Sequence, residues 1–461
     1  MYIQQLYTNC LAEAAYYIES DGEAAVIDPI RETEPYLELA AERGAEIKYI
    51  FETHFHADFV SGHIDLSKKT GAKIIYGPMA ETKYEVLNAN DGQIFSLGKL
   101  KIKTLHTPGH TPESTCYLLF DENGKEHAVF TGDTLFVGDV GRPDLLDGKM
   151  TSEELASMLY DSLNQKIKTL PDEVIVYPAH GPGSACGKKI GKETFSTIGE
   201  QKKFNYALKA KDRSQFIKEV TDGIMPPPNY FFEDARINKD GYTSVDDVVK
   251  RNNNPLTADQ FAQAIKNGAL IVDTREANDF EKGFIPSSIN IGLNGQYAIW
   301  TGTLIDINQE LLLVTEPGKE SESVLRLARV GYEKIFGYLN GGIASWNKNL
   351  EQVKSIQPTS MKKEMALGAE VIDVRKPGEW AVSHVKDATF LPLANMPANL
   401  KPLDKTKYYL VHCGGGYRSM TAISLMKRDG FTNLTNIYGG FGAIQNAGLE
   451  VVSEEESLIV K

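Results

Sequence analysis

Four segments among the first 180 residues carry side chains that hold metals or move protons, in the order THFHAD, HTPGHTPEST, VFTGDTLF and VYPAHGPG. They put His54, His56, Asp58, His110, Asp133 and His180 at the ends of apolar runs, where chain leaving a sheet projects side chains at the carboxyl edge. Imidazoles with a carboxylate suit a first-row transition metal, and a site of two histidines and one carboxylate leaves positions open for substrate, as oxygen chemistry at ferrous iron requires. The bland reading is loop histidines satisfied by backbone carbonyls. Four such segments in order, three flanked by Gly or Pro, weigh against it.

A second chemistry lies near the other end of the chain. HCGGGYRS places Cys413 after the apolar run YYLVH and before the helical run SMTAISLMKRDG. Gly414, Gly415 and Gly416 let backbone N–H groups converge on the sulfur, and the helix N-terminus adds positive potential, so the loop lowers the thiol pKa and stabilises an anionic persulfide. Tyr417 and Ser419 complete the loop, and Arg418 is expected to face a sulfite or thiosulfate oxyanion. A buried cysteine at a tight turn and a phosphatase-type loop, with Arg418 five positions after Cys413, are the alternatives. Cys186, in AHGPGSACGKKIGKE, is a candidate reactive thiol activated by Lys188 and Lys189, with a structural loop cysteine as the other reading. Cys10 and Cys116 lie in apolar strand contexts and are expected to be inert core residues, and His63, His106 and His127 are expected to be structural.

Short β-rich runs (AAYYIE, EAAVIDP, IKYIFETH, AKIIYGP, KLKIKTLHT, TCYLLFD, HAVFTGD, EVIVYPAHG) recur up to His180 with helical runs such as EPYLELAAERGAE between them, which predicts α/β architecture. A Lys-rich helical section, IGEQKKFNYALKAKDRSQFIKEV, and the breaker-rich DGIMPPPNYFF close that part. Beyond RNNNPLTADQF a frame repeats: ALIVDTREANDFEKGFIPSSINI aligns with AEVIDVRKPGEWAVSHVKDATFL, and each copy continues to an apolar strand, a helix and a Gly-Gly close. The repeat is about 100 residues long, domain-sized rather than a solenoid unit. With 461 residues in all, the expected domains are 1–245, 255–350 and 358–455, with EQVKSIQPTS as the linker before the last. The middle copy has EPGKESES where the other has its cysteine, with Glu316, Glu320 and Glu322 where an anion cradle needs neutral or positive groups. It cannot carry a persulfide, and a spacer or docking role is expected for it.

The order THxHAD, TPGHT, TGD, PAHG resembles the metallo-β-lactamase superfamily over roughly residues 1–245, and the segment 358–455, with DVRKPGEW and IYGGF around the cysteine loop, resembles a rhodanese. The resemblance implies an α/β multidomain chain: an αββα sandwich followed by two α/β rhodanese-like domains. Where the superfamily motif usually ends in a histidine that helps hold a second metal, this chain has Phe59, which disfavours dinuclear zinc hydrolysis of the glyoxalase II type. Persulfide dioxygenases resemble the first part most. That implies one Fe(II) per chain held by His54, His110 and Asp133, with His56, Asp58 and His180 as a vestigial second site that hydrogen-bonds to the ligands or to water. The run FVGDVGRPDL, 136–145, resembles the family's segment beside the site.

The implied function is oxidation of a thiol persulfide (of glutathione, coenzyme A or a similar carrier) by O2 to sulfite, coupled to thiosulfate formation or consumption at Cys413. Two rivals stand beside it: a zinc thioester hydrolase, and a sulfur-relay or sensing protein with a structural metal domain. With 49 Lys+Arg against 62 Asp+Glu, the net charge of −13 has the wrong sign for a nucleic-acid partner. No run of 18 apolar residues occurs and the start lacks a signal-peptide pattern, so a cytoplasmic protein without a membrane partner is expected. Analogy with relatives of the metal domain gives a homo-oligomer.

Overall fold

The computed structural model describes residues 1–145, 150–224 and 226–454. Met225, in the breaker-rich segment, and position 455, the expected end of the last domain, lie outside the described residues. The chain forms two compact units: Met1–Val248 with the short stretch Ala328–Gly331, and Val249–Leu327 with the described residues from Tyr332 on.

In the first unit two six-stranded sheets face each other. One runs in the order Tyr2–Thr8, Glu13–Ser20, Glu23–Ile27, Glu46–Phe51, Lys73–Tyr76, Leu87–Asn88, antiparallel at first and parallel from Glu23–Ile27 onward. The other runs Ser196–Thr197, Ile175–Pro178, Glu126–Gly132, Thr115–Phe120, Leu100–His106, Ile94–Leu97. Tyr16, Ile18, Phe51, Phe95, Tyr117 and Phe130 fill the space between them, and their rings meet edge-on or tilted. A second cluster packs Leu118, Val129 and Val176 against Leu159 and Phe216 of the helices Ser152–Ser162 and Arg213–Thr221, giving the outer layer of an αββα sandwich. The Lys-rich helical section forms two helices, Ile198–Phe204 and Arg213–Thr221, because Asn205 leaves the helical conformation and Asp212 caps the second through Gln215 N.

The second unit holds two five-stranded, all-parallel sheets with the same strand order. The first is Pro255–Leu256, Ile335–Leu339, Leu311–Val314, Leu270–Asp273, Ile289–Asn290; the second is Lys354–Ile356, Leu434–Ile437, Tyr409–His412, Glu370–Asp373, Thr389–Phe390. Identical order establishes the duplication. The central strands LIVD, LLLV and YLVH are buried along their whole length, as parallel strands covered on both faces must be. Each copy has its own core, yet both belong to one compact unit.

The repeated Asp-x-Arg motif has a structural use. Arg275 is held bidentately by Asp273 and donates to Gly283 O; Arg375 does the same with Asp373 and Ser383 O. Both ion pairs are buried, so each guanidinium ties a strand end to the chain that follows the next short helix. Among the described residues no helix is long and apolar enough to cross a membrane.

Removing one partner of such a pair strands the other charge. Asp373→Ala should lower the unfolding free energy of the second unit by about 3–5 kcal/mol in urea titration. A loss below about 1 kcal/mol would mean that Arg375 reaches solvent without cost.

Candidate functional site

Loops that follow the strand ends Ile27, Phe51, His106, Gly132 and Pro178 carry the candidate ligands. Asp28, in a left-handed conformation, accepts from Thr53 N at 2.7 Å and Thr53 Oγ1 at 2.8 Å, which fixes the chain just before His54. Gly132 lets the strands close here, since a Cβ would lie 2.5 Å from Thr53 Oγ1 and its φ is +50°.

Each ring of the central set is oriented by its Nδ1. His110 Nδ1 lies 2.8 Å from Arg142 O and His180 Nδ1 3.1 Å from Ala12 O. A carbonyl can only accept, so both rings carry their proton on Nδ1 and leave the Nε2 lone pair bare. His54 Nδ1 lies 3.0 Å from Thr53 Oγ1, whose hydrogen is already given to Asp28, and the same tautomer follows. All three Nε2 atoms face Asp133: His54 and His110 at 3.9 and 3.4 Å from Oδ2, His180 at 3.5 Å from Oδ1. Among the described residues nothing donates a hydrogen bond to either Asp133 oxygen, nor partners His110 Nε2. An anionic carboxylate buried without donors, ringed by bare lone pairs, fits a bound cation and little else.

The ligand atoms of His54, His110 and Asp133 lie within 4.8 Å of one another, and all three residues are buried. Burial first, then the neighbouring imidazoles of His56, His110 and His180, hold the His54 pKa well below its ordinary value, so the ring stays neutral and ready to ligate. The run 136–145 lies beside the site: Gly141 N donates to Asp133 O, and Arg142 presents the carbonyl that orients His110.

Asp58 and His180 come together at 3.5 Å, but His56, expected beside them, does not join them. Its Nε2 points to Asp28 Oδ1 at 3.1 Å and Glu52 Oε2 at 3.7 Å, forming a separate buried group. Asp28 and Glu52 are functional neighbours that the sequence reasoning missed; their one signal was an acid closing each apolar run, AVID and YIFE. Phe59 is fully buried, with its ring 4.4 Å from that of His56.

Of the two readings of Cys186, its burial supports the structural loop cysteine. The thiol is buried in the group Asp58–His180–Cys186, and burial, followed by the Asp58 and Asp133 charges, pushes its pKa up. Lys188 Nζ bonds Glu219 O and Asp222 O instead, while Lys189 meets Asp139 through its backbone N–H, so neither lysine activates the sulfur. Cys10 lies in a turn, half-buried, with Sγ 3.2 Å from Arg329 Nη1, and is not the core strand residue expected. Cys116 is buried, and its thiol is pushed up to about 11 by that burial. His63 Nε2 meets Tyr84 OH at 2.7 Å and His106 Nε2 meets Pro112 O at 2.8 Å.

In the second unit Cys413 follows the strand Tyr409–His412, and the helix Tyr417–Arg428 starts four residues later. Gly416, at φ +109°, donates its N–H to Cys413 Sγ at 3.1 Å, and Ser419 Oγ lies 3.6 Å from the sulfur. Gly440 in the Gly-Gly close is obligatory, since its φ is +58° and a Cβ would lie 2.4 Å from the Gly414 carbonyl. Arg418 is not free to face an oxyanion: Glu379 holds it bidentately at 2.6 and 2.9 Å, across Gly414. In the middle copy Glu322 pairs with Lys319, and no cysteine follows Leu311–Val314.

Residues 8–180 match the metallo-beta-lactamase superfamily, and residues 257–349 and 357–447 each match the rhodanese-like domain. The mitochondrial persulfide dioxygenase ETHE1 of Homo sapiens is 31% identical over 208 residues, covering 45% of this chain and 74% of that protein. A hydroxyacylglutathione hydrolase of Pelagibacter ubique is 33% identical over 210 residues, covering 44% and 79%. The crystal structure of a metallo-beta-lactamase from Staphylococcus aureus aligns with TM-score 0.65 at 32% identity, covering 74% of this chain and 99% of that one.

If Asp133 is the carboxylate that a cation neutralises, Asp133→Ala should abolish metal retention after anaerobic purification, with at least about a tenfold loss. Metal content equal to wild type would place the cation elsewhere.

Proposed function

The chain belongs to the metallo-β-lactamase superfamily and carries two rhodanese-like domains behind that fold, and from this premise we propose that it is a persulfide dioxygenase coupled to a sulfurtransferase. One observation carries the first half. His54, His110 and Asp133 present two imidazoles and one carboxylate from buried strand ends, with the His180 imidazole on the other Asp133 oxygen. That donor set is the one that leaves iron(II) with open positions.

His54, His110 and Asp133 would hold the ion. When bound, iron(II) supplies the redox chemistry by which O2 oxidises the terminal sulfur of a persulfide. The balance is RSS⁻ + O2 + H2O giving RSH and HSO3⁻. The protein's part is positional: Thr53 and the Arg142 carbonyl fix the tautomers, and the ligand side chains are buried. His180 Nε2 lies 3.5 Å from Asp58 and from Asp133, and there a proton competes with a cation for the lone pair. Burial opposes the charge on His180, but Asp58, Asp133 and the Ala12 carbonyl outweigh it and raise its pKa, while burial raises that of Asp58.

At Cys413 the Gly416 N–H donates to Sγ and the helix N-terminus lies beside it, groups that suit an anionic persulfide sulfur. The thiolate accepts sulfane sulfur from a second persulfide, releasing RS⁻. Sulfite then attacks the outer sulfur of Cys413–S–S⁻, so that the old S–S bond breaks as the new one forms and thiosulfate leaves. The Arg418–Glu379 pair means that the incoming oxyanion must compete with Glu379 for the guanidinium. One round of both reactions removes two persulfides and yields thiosulfate, a sulfide-detoxifying output.

The group Asp58–His180–Cys186 favours the competing reading, a two-metal thioester hydrolase, because it supplies three donors despite Phe59. Metal analysis with activity decides between them. Protein purified without oxygen should hold about one iron per chain and consume O2 with glutathione or coenzyme A persulfide. Two zinc ions per chain with thioester hydrolysis would overturn the proposal. Cys413→Ser should keep the oxygen uptake, release sulfite and lose catalysed thiosulfate formation, because a hydroxyl cannot hold sulfur as a persulfide. Thiosulfate formed at the wild-type rate would sink the sulfurtransferase half.

A further inference from the structure

The middle rhodanese-like copy has no cysteine, yet its turn Gly292–Gly295 lies against the first residue of the helix that backs Cys413. Tyr417 OH donates to Gly292 O at 2.8 Å. A Cβ on Gly295 would lie 2.3 Å from Tyr417 Cε2 and 2.5 Å from Cζ, and one on Gly292 would lie 3.1 Å from Cε2. Neither glycine has a positive φ, so the backbone does not demand glycine at either position. What demands it is room for the ring.

The turn is itself held rigid. Arg326, buried on the helix Glu320–Ala328, donates from Nη2 to Gly295 O at 3.0 Å and from Nη1 to Leu293 O. Further along the cysteine helix, Ser424 Oγ accepts from Asn290 N at 3.0 Å and Arg428 Nη1 donates to Ser287 O at 3.2 Å, while Lys427 pairs at 3.0 Å with Glu351, the first residue of the linker. The middle copy thus grips the helix Tyr417–Arg428 along its length, tightest at the end nearest the sulfur.

We propose that this copy is a positioning module: its Gly292–Gly295 turn clamps Tyr417, which fixes the first turn of the helix and so holds the neighbouring Gly416 N–H on Cys413 Sγ. Tyr417 and Gly295 are then positioning residues that touch no reacting atom. A duplicated domain that lost its cysteine is retained because it sets the thiolate of its twin. The inference rests on the reading of Cys413 as a sulfur-accepting thiolate.

The test follows the pH dependence of iodoacetamide alkylation of Cys413 in the full-length protein, read by mass spectrometry of its peptide. Gly295→Ala pushes the ring away, weakens the N–H donation to the thiolate and should move the alkylation midpoint to higher pH by about 0.5–1 unit. Thiosulfate formation at neutral pH should fall about 3–10-fold with it, while oxygen uptake by the first unit stays at the wild-type rate. Tyr417→Phe, which keeps the ring and loses one hydrogen bond, should shift the midpoint less. The combination of Gly295→Ala with Tyr417→Ala should match Tyr417→Ala alone, because the added methyl acts only through the ring. An unmoved midpoint in Gly295→Ala, or a Gly295→Ala shift that persists in full beside Tyr417→Ala, would overturn the clamp. Failure of wild-type Cys413 to gain a sulfur atom from persulfide would instead overturn the sulfurtransferase reading, and the alkylation midpoints would still judge the clamp.

Discussion

An Asp133 carboxylate buried without a hydrogen-bond donor among the described residues is the constraint on which the first unit turns. Leaving such a group charged and unpaired inside a protein costs several kcal/mol. Among the described residues no lysine or arginine pairs with it. The fold surrounds it with three imidazoles whose protons are committed elsewhere, to Thr53, the Arg142 carbonyl and the Ala12 carbonyl. These second partners come from segments far apart in the chain, so the sandwich must be complete before the three lone pairs converge on Asp133. Folding and cation binding are therefore coupled in this unit.

The three buried cysteines show how environment divides one side chain's chemistry. Burial raises the thiol pKa of Cys116 and Cys186, and carboxylates beside Cys186 add to the effect. Cys413 is just as buried, but a backbone N–H and a helix N-terminus face its sulfur. A solvent-excluded thiol with a donor is suited to hold an anionic sulfur that water would otherwise attack. Separating the two chemistries between units lets each have its own electrostatics: lone pairs for a cation in one, a backbone N–H at a helix N-terminus for an anion in the other.

Much of this was legible in the sequence because the local signals were dense. His54, His110, Asp133 and His180 each follow an apolar run and neighbour turn residues, and the duplicated frame reappears as two sheets of identical strand order. What was not legible depends on side-chain direction. The motif spacing places His56 next to Asp58, but rotation of its ring toward Asp28 and Glu52 is a tertiary outcome. Lys188 and Lys189 lie beside Cys186 in sequence, and their ammonium and amide groups bond away from it. Arg418 was read from its distance to Cys413, whereas Glu379, more than thirty residues earlier, decides where its charge goes. Proximity along the chain located the groups; only packing settled their partners.

The central claim is that one chain oxidises one persulfide and uses a second to trap the product. The most direct measurement is the ratio of persulfide to O2 consumed at the initial rate by iron-loaded full-length protein, with persulfide in excess. The account predicts two persulfides consumed for each O2, with thiosulfate formed in equal amount to the O2. Persulfide loss without oxygen uptake, or a ratio of one with sulfite as the catalysed end product, would contradict it.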